Sequence, residues 1–312
     1  MNAKGGEYGN ALQAASYCSN EAIVKLLIKN GAEVNAKGGE YGNALQAASR
    51  RGNKAIMRLL LENGAEVNAK GGKYGNALHA ASYCSNVAIV KMLLENGAEV
   101  NAKGGEFGNA LQAASYFNNV AIVKMLLENG AKVNEKGGIF GNSLQAASYG
   151  SNVAIVKLLL EYGAEMNAKG GGYGNALQAA SRRGNKAIIK MLLENGAEVN
   201  AKGGKYGNAL QAASYCSNVA IVKILLENGA KVNANGGLYG NALQAVTHSS
   251  NEEIVKLLIE NGAEVNAKGG EYGNALQAAS YRGNEAIVKL LLENGANANS
   301  KGGHYGNALQ AA

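Results

Sequence analysis

The chain has 312 residues, 47% hydrophobic and 17% charged, with a net charge of +7 and with no Pro, Trp or Asp. That apolar content excludes a solvated disordered chain, and the loss of whole residue types points to one short unit copied many times. No run approaches the roughly 18 apolar residues of a membrane span, and no signal-peptide pattern or Asn-x-Ser/Thr sequon occurs, so a soluble cytoplasmic protein is expected.

Self-comparison gives a single offset of 33 residues, without insertions, and units begin at Asn2, Asn35, Asn68, Asn101, Asn134, Asn167, Asn200, Asn233, Asn266 and Asn299. Nine units fill residues 2 to 298 and a partial tenth fills 299 to 312. An array grows by stacking, so residues 1–312 read as a single repeat domain.

In the first unit a short helix is predicted over Ala11 to Tyr17, N-capped by Asn10, with Leu12 and Ala15 on its buried side. After a turn, Asn20 caps a longer helix. Ile23, Leu26 and Leu27 form its apolar stripe, Val24 and Ile28 add a second pair, and Gly31 suits its left-handed end. The segment AEVNAKGGEYG then leads into the next unit, and its Gly-Gly pair suits a tight hairpin-like finger with little sheet. One such unit cannot bury its apolar face alone. The expected fold is therefore all-α: a solenoid of helix-turn-helix units with protruding fingers.

Comparing units separates framework from freedom. Leu12, Ala15, Ile23 and Leu26 recur or exchange only for similar residues. The finger residue after Gly-Gly varies freely (Glu7, Lys73, Ile139, Gly172, Leu238, His304), as a solvent tip should. The residues closing the first helix also vary, and among them Tyr17, Arg50, Arg51, Tyr83, Tyr116, Phe117, Tyr149, Arg182, Arg183, Tyr215, His248, Tyr281 and Arg282 are the candidate partner-contacting set. Tyr and Arg are the side chains enriched at binding hot spots. The residue after this pair (Ser19, Gly52, Asn118) and the start of the second helix (Glu21, Lys54, Val87) vary as well. The competing reading is drift at exposed positions, with a Tyr column that stacks on its own neighbours. RRGNK at 50 and 182, and YCSNV at 83 and 215, recur 132 residues apart, which indicates block copying over four units.

A finger aromatic (Tyr8, Tyr41, Tyr74, Phe107, Phe140, Tyr173, Tyr206, Tyr239, Tyr272, Tyr305) occurs in all ten units and reads as finger packing. A lysine stripe from Lys4 to Lys301, broken at Asn235, permits anion binding, but neighbouring acidic columns read more simply as charge compensation. Cys18, Cys84 and Cys216 stand whole units apart, too far for a disulfide, so three free thiols are expected. No CxxC or HxxxH spacing supports a metal site, and no nucleophile, base and orienting group come together. His79, at the position of Gln13, reads as structural. The glycines at 170, 171, 172 and 174 miss the dinucleotide register at Asn175. No enzyme activity, cofactor or metal is expected.

The period, NALQAAS at Asn10 to Ser16 and EAIVKLLIKNGAEVNAK at Glu21 to Lys37 resemble the ankyrin repeat over every residue after Met1. The family's Thr-Pro is here Asn-Ala, its His is Gln13, and its GADVN is GAEVN. This GGxYGNALQAAS form looks like the arrays at the C-terminal end of fungal NLR-type (STAND) proteins. The resemblance implies a concave face lined by finger tips and first-helix ends, a protein ligand, and a sensor role beside an upstream nucleotide-binding domain, of which no P-loop motif is present here. Neither end carries a polar capping repeat, as in an excised segment or an engineered array. A monomer is expected, with end-to-end stacking as the alternative. A homogenised scaffold without a ligand is the rival function. A nucleic-acid or other anion surface on the lysine stripe is a third and weaker one.

Overall fold

The structure is a computed structural model that describes residues 5–304 and 306–311; Lys4 and Tyr305 lie outside them. Contacts divide the chain into two compact bodies, Met1–Ala164 and Glu165–Ala312.

In the first body, five short helices alternate with five longer ones: α1 Ala11–Tyr17, α2 Glu21–Lys29, α3 Ala44–Arg51, α4 Lys54–Glu62, α5 Ala77–Tyr83, α6 Val87–Glu95, α7 Ala110–Tyr116, α8 Val120–Glu128, α9 Ser143–Gly150 and α10 Val153–Glu161. The second body continues the alternation with α11 Ala176–Arg183, α12 Lys186–Glu194, α13 Ala209–Tyr215, α14 Val219–Glu227, α15 Ala242–Val246, α16 Glu252–Glu260, α17 Ala275–Tyr281, α18 Glu285–Glu293 and α19 Ala308–Ala311. Each finger holds one antiparallel bridge, such as Gly38 with Gly42, and no longer strand forms among the described residues.

Asparagine sets the helix starts. The Asn10 side chain accepts from the Gln13 amide and the Asn20 side chain from the Ile23 amide, and the pattern repeats along the chain. Each such cap contributes about 1 kcal/mol. The short helices bury almost every residue: Ala44, Leu45, Ala47 and Ala48 are all enclosed, because they lie between the fingers and the longer helices. In the longer helices the buried set differs from the i, i+3, i+4 stripe. Interior repeats enclose Ile56, Met57 and Leu60, while Leu59, the counterpart of Leu26, is only half-buried. The reason is geometric: α4 contacts α3, α2 and α6, and three neighbours cover adjacent positions that one neighbour could not. In the first repeat Ile23 and Leu26 are 45% and 61% exposed.

Neighbouring repeats are stitched by polar side chains. Gln13 Nε2 donates to the carbonyls of Ala36, Gly38 and Gly42 in the next finger, and its Oε1 accepts from its own cap, the Asn10 amide. Asn35 Nδ2 donates to the Gly64 carbonyl while its Oδ1 accepts from the Glu66 amide, both at 2.8 Å. Fingers also bond tip to tip, as from the Lys73 amide to the Glu40 carbonyl at 2.8 Å. The side chain at the tip is thus free to vary while its backbone is committed.

One variable position has a conformational cause. Ser19, Gly52, Ser85, Asn118, Ser151, Gly184, Ser217, Ser250 and Gly283 all take left-handed φ between 56° and 80°. Gly and Asn adopt that region most readily, so the choice there answers the backbone as well as any partner. The short helix runs one residue farther before Gly52, Ser151 and Gly184, to Arg51, Gly150 and Arg183.

Candidate functional site

Tyr17 closes its helix beside the finger rings of Tyr8 and Tyr41, and Tyr215 beside those of Tyr206 and Tyr239, so the candidate residues lie along the finger-ring side of each body. In the first body these are Tyr17, Arg50, Arg51, Tyr83, Tyr116, Phe117 and Tyr149. In the second they are Arg182, Arg183, Tyr215, His248, Tyr281 and Arg282. Arg51, Arg183, Tyr281 and Arg282 are exposed and the others half-buried.

The rings form a ladder. Tyr17 stacks on Tyr41 with centroids 4.5 Å apart, Tyr74 meets Tyr83 at 4.9 Å, Tyr83 meets Phe117 at 4.4 Å, and Tyr116 stacks on Phe140 at 4.7 Å. In the second body Tyr215 stacks on Tyr239 at 4.7 Å and Tyr272 on Tyr281 at 4.9 Å. Each pair contributes about 0.5–1.5 kcal/mol beyond its burial. The finger aromatics therefore pack as expected. The helix-end tyrosines join the same ladder, which gives them a structural role beside any contact with a partner.

Arginine replaces a rung of this ladder. Arg50 Nε donates to the Tyr74 hydroxyl at 3.0 Å, and its guanidinium lies 5.9 Å and 5.7 Å from the Tyr74 and Tyr83 ring centroids. Arg51 lies 5.2 Å from the Tyr17 ring. Burial pushes the Cys84 and Cys216 thiols up, against the pull of Arg50 and Arg182 respectively, which keeps both sulfurs protonated and poor nucleophiles. None of the three cysteines forms a disulfide.

His248 takes the tyrosine position in its repeat. Its ring sits 4.5 Å from that of Tyr239, and its Nδ1 faces the Arg282 guanidinium at 2.5 Å. Burial, and then the Arg282 charge, lower its pKa to about 4, and burial lowers His79 as well. The unfolded value of about 6.5 lies above the folded one, so the unfolded chain binds the proton first. The stability this contributes is full above about pH 6.5 and is lost as pH falls towards about 4. The urea midpoint should drop between about pH 7 and about pH 4.5, and His248→Tyr should drop less; equal drops would rule the linkage out.

His79 is buried, with Nδ1 3.1 Å from the Tyr74 carbonyl and Nε2 2.9 Å from the Ala102 carbonyl, as befits its structural reading. Some of the lysines are paired with glutamates. Lys103 lies 2.5 Å from Glu135, and Lys91, Lys124 and Lys157 each pair with the glutamate four residues on. Among the described residues there is no group of His, Cys or Glu able to hold a metal, and no helix long and apolar enough to cross a membrane.

The family model for ankyrin repeats (three copies) matches residues 11–104, 74–137, 143–236 and 234–302. The chain belongs to the ankyrin-repeat family. Among solved structures, the human ASB11 ankyrin repeat domain is similar, at 26% identity and a TM-score of 0.61, over 71% of this chain and 99% of that one. No curated protein sequence matches. Ankyrin repeats are in general non-catalytic protein-interaction modules. In this array the short-helix ends and fingers carry the variable side chains over a nearly invariant interior.

Proposed function

We propose that residues 1–312 form one ankyrin-repeat recognition domain that binds a protein partner on the face of finger tips and first-helix ends, the concave face in the family's geometry. We further infer a cytoplasmic, ligand-sensing role as the receptor portion of a fungal NLR-like protein, on the GGxYGNALQAAS resemblance. One observation carries the binding site: the side chains that differ between repeats gather on one face, directly above Gln, Ala and Leu positions that barely change. Unconstrained drift would also have scrambled the exposed basic column of the long helices, which reads Lys25, Arg58, Lys91, Lys124, Lys157, Lys190, Lys223, Lys256 and Lys289.

The full chain, immobilised, should retain a specific protein from an extract of the source cells. Replacing the accessible face residues Arg51, Phe117, Arg183 and Tyr281 with Ala should abolish retention with the helical circular dichroism unchanged. Replacing the outer lysines Lys124, Lys157, Lys190 and Lys256 should leave it intact. Retention by the face variant would overturn the site. The ring ladder favours a second reading, a homogenised scaffold whose tyrosines only stack; it predicts no specific band for any of the three proteins.

A further inference from the structure

We propose that the two Arg-Arg helix ends, Arg50–Arg51 and Arg182–Arg183, are corresponding seats, of unequal strength, for carboxylates of an acidic segment in the protein partner. This proposal rests on the recognition face described above and specifies its chemistry.

The geometry occurs twice. Arg182 Nε donates to the Tyr206 hydroxyl at 2.9 Å, and its guanidinium lies 5.8 Å and 5.7 Å from the Tyr206 and Tyr215 rings, which reproduces Arg50 on Tyr74 and Tyr83. The helices end on Gly52 and Gly184 at φ 79° and 80°. A guanidinium held by its Nε and by two ring faces has already lost its rotamer freedom, so a partner does not have to order it. A guanidinium presents the planar donor set that matches a carboxylate. Arg50 and Arg51 form no ion pair with a carboxylate among the described residues. Each Arg pair is followed by a lysine at the start of the next helix, Lys54 or Lys186, and by a lysine at the next finger tip, Lys73 or Lys205.

The seats differ at one point. Glu40 lies 3.5 Å from Lys73 in the first, whereas Gly172 stands in its place in the second. The second seat is therefore the stronger, because no tip carboxylate competes there. Glutamates at other tips, Glu7, Glu106 and Glu271, would repel a continuous polyanion, which favours a short acidic peptide over nucleic acid.

The test is calorimetric titration of the full chain with a synthetic octapeptide carrying Glu at alternate positions, its Gln counterpart and an oligothymidylate of equal length. The Glu peptide should fill two sites of unequal affinity and bind about tenfold tighter than the Gln peptide, the scale of a charge-assisted contact. Arg51→Gln should weaken only the weaker site and Arg183→Gln only the stronger, and Glu40→Gly should bring the weaker towards the stronger. Lys124→Gln with Lys157→Gln, an outer-face charge loss, should leave both sites. Equal binding of the Glu and Gln peptides, no binding of either, weakening by the outer variant as large as by the Arg variants, or Arg-dependent binding of the oligothymidylate in place of the peptide each overturns the proposal. If both peptides bind equally and Tyr83→Ala with Tyr215→Ala abolishes both, the acidic preference fails and the recognition face stands. If neither peptide binds and the protein retained from extract is also insensitive to the face variant, both fail.

Discussion

Gly138→Ala is expected to cost about 3–5 kcal/mol. The residue sits at φ 61°, and a Cβ there would clash with the Phe107 carbonyl carbon and oxygen. Those atoms are backbone in the preceding finger, so no rotamer change relieves the clash; the two fingers must separate. Separation also strains the Ile139 amide to Glu106 carbonyl bond at 3.1 Å and the contact between Phe107 and Phe140, 6.0 Å apart. Gly130→Ala is the control. It has similar φ, 82°, but open space around its Cβ, so only the left-handed backbone penalty of about 1–2 kcal/mol applies. Urea denaturation of both variants checks the difference, and equal losses would show that finger contact contributes nothing.

Gln178→Ala is the second large effect, roughly 2–4 kcal/mol. Its Nε2 donates to the carbonyls of Ala201, Gly203 and Gly207 at 3.0, 3.2 and 3.1 Å, and its Oε1 accepts from the Asn175 amide at 2.8 Å. Removing the amide takes the side-chain donor from the buried Ala201 carbonyl, while the Gly207 carbonyl keeps the Gly203 amide at 2.9 Å. Gln178→His should cost less, because His79 already reaches the corresponding carbonyl, that of Ala102, from the same position. The order of thermal midpoints, wild type above His above Ala, is the check; an Ala variant as stable as wild type would remove Gln from the account of how repeats adhere.

Much of the fold was legible because it is local. Asn10 and Asn20 announce caps, and Gly31 announces a helix end, within a few residues of the atoms they bond. Comparison of repeats singles out the thirteen candidate residues because a repeat offers thirty-three positions, of which only a few vary together. The parts that stayed hidden depend on the next repeat. Gln13 was noted as a substitute for a family histidine, yet its bonds reach 23 to 29 residues ahead, and no local pattern points there. A signal existed: an uncharged polar residue recurs unchanged on the apolar side of every short helix but one. The left-handed requirement of the Ser19 series stays hidden because Ser, Gly and Asn also look like surface drift; only φ reveals what they share. Of the long-helix stripe, the positions of Ile23, Val24 and Leu27 are enclosed in interior repeats and that of Leu26 is half-buried, since a single helix cannot tell how many neighbours will cover it.

The stitches have a consequence for synthesis. Within each body every Gln and Asn bond of this kind joins a repeat to the one that follows it, as Gln46 does to Ala69 and Asn68 to Gly97. At about 5–20 residues per second, a 33-residue repeat leaves the ribosome every few seconds, far longer than helix formation or docking requires. Each new repeat therefore meets a finished template rather than a pool of unfolded copies of itself. In a chain whose segments are nearly interchangeable, that order of arrival protects against pairing a repeat with the wrong twin.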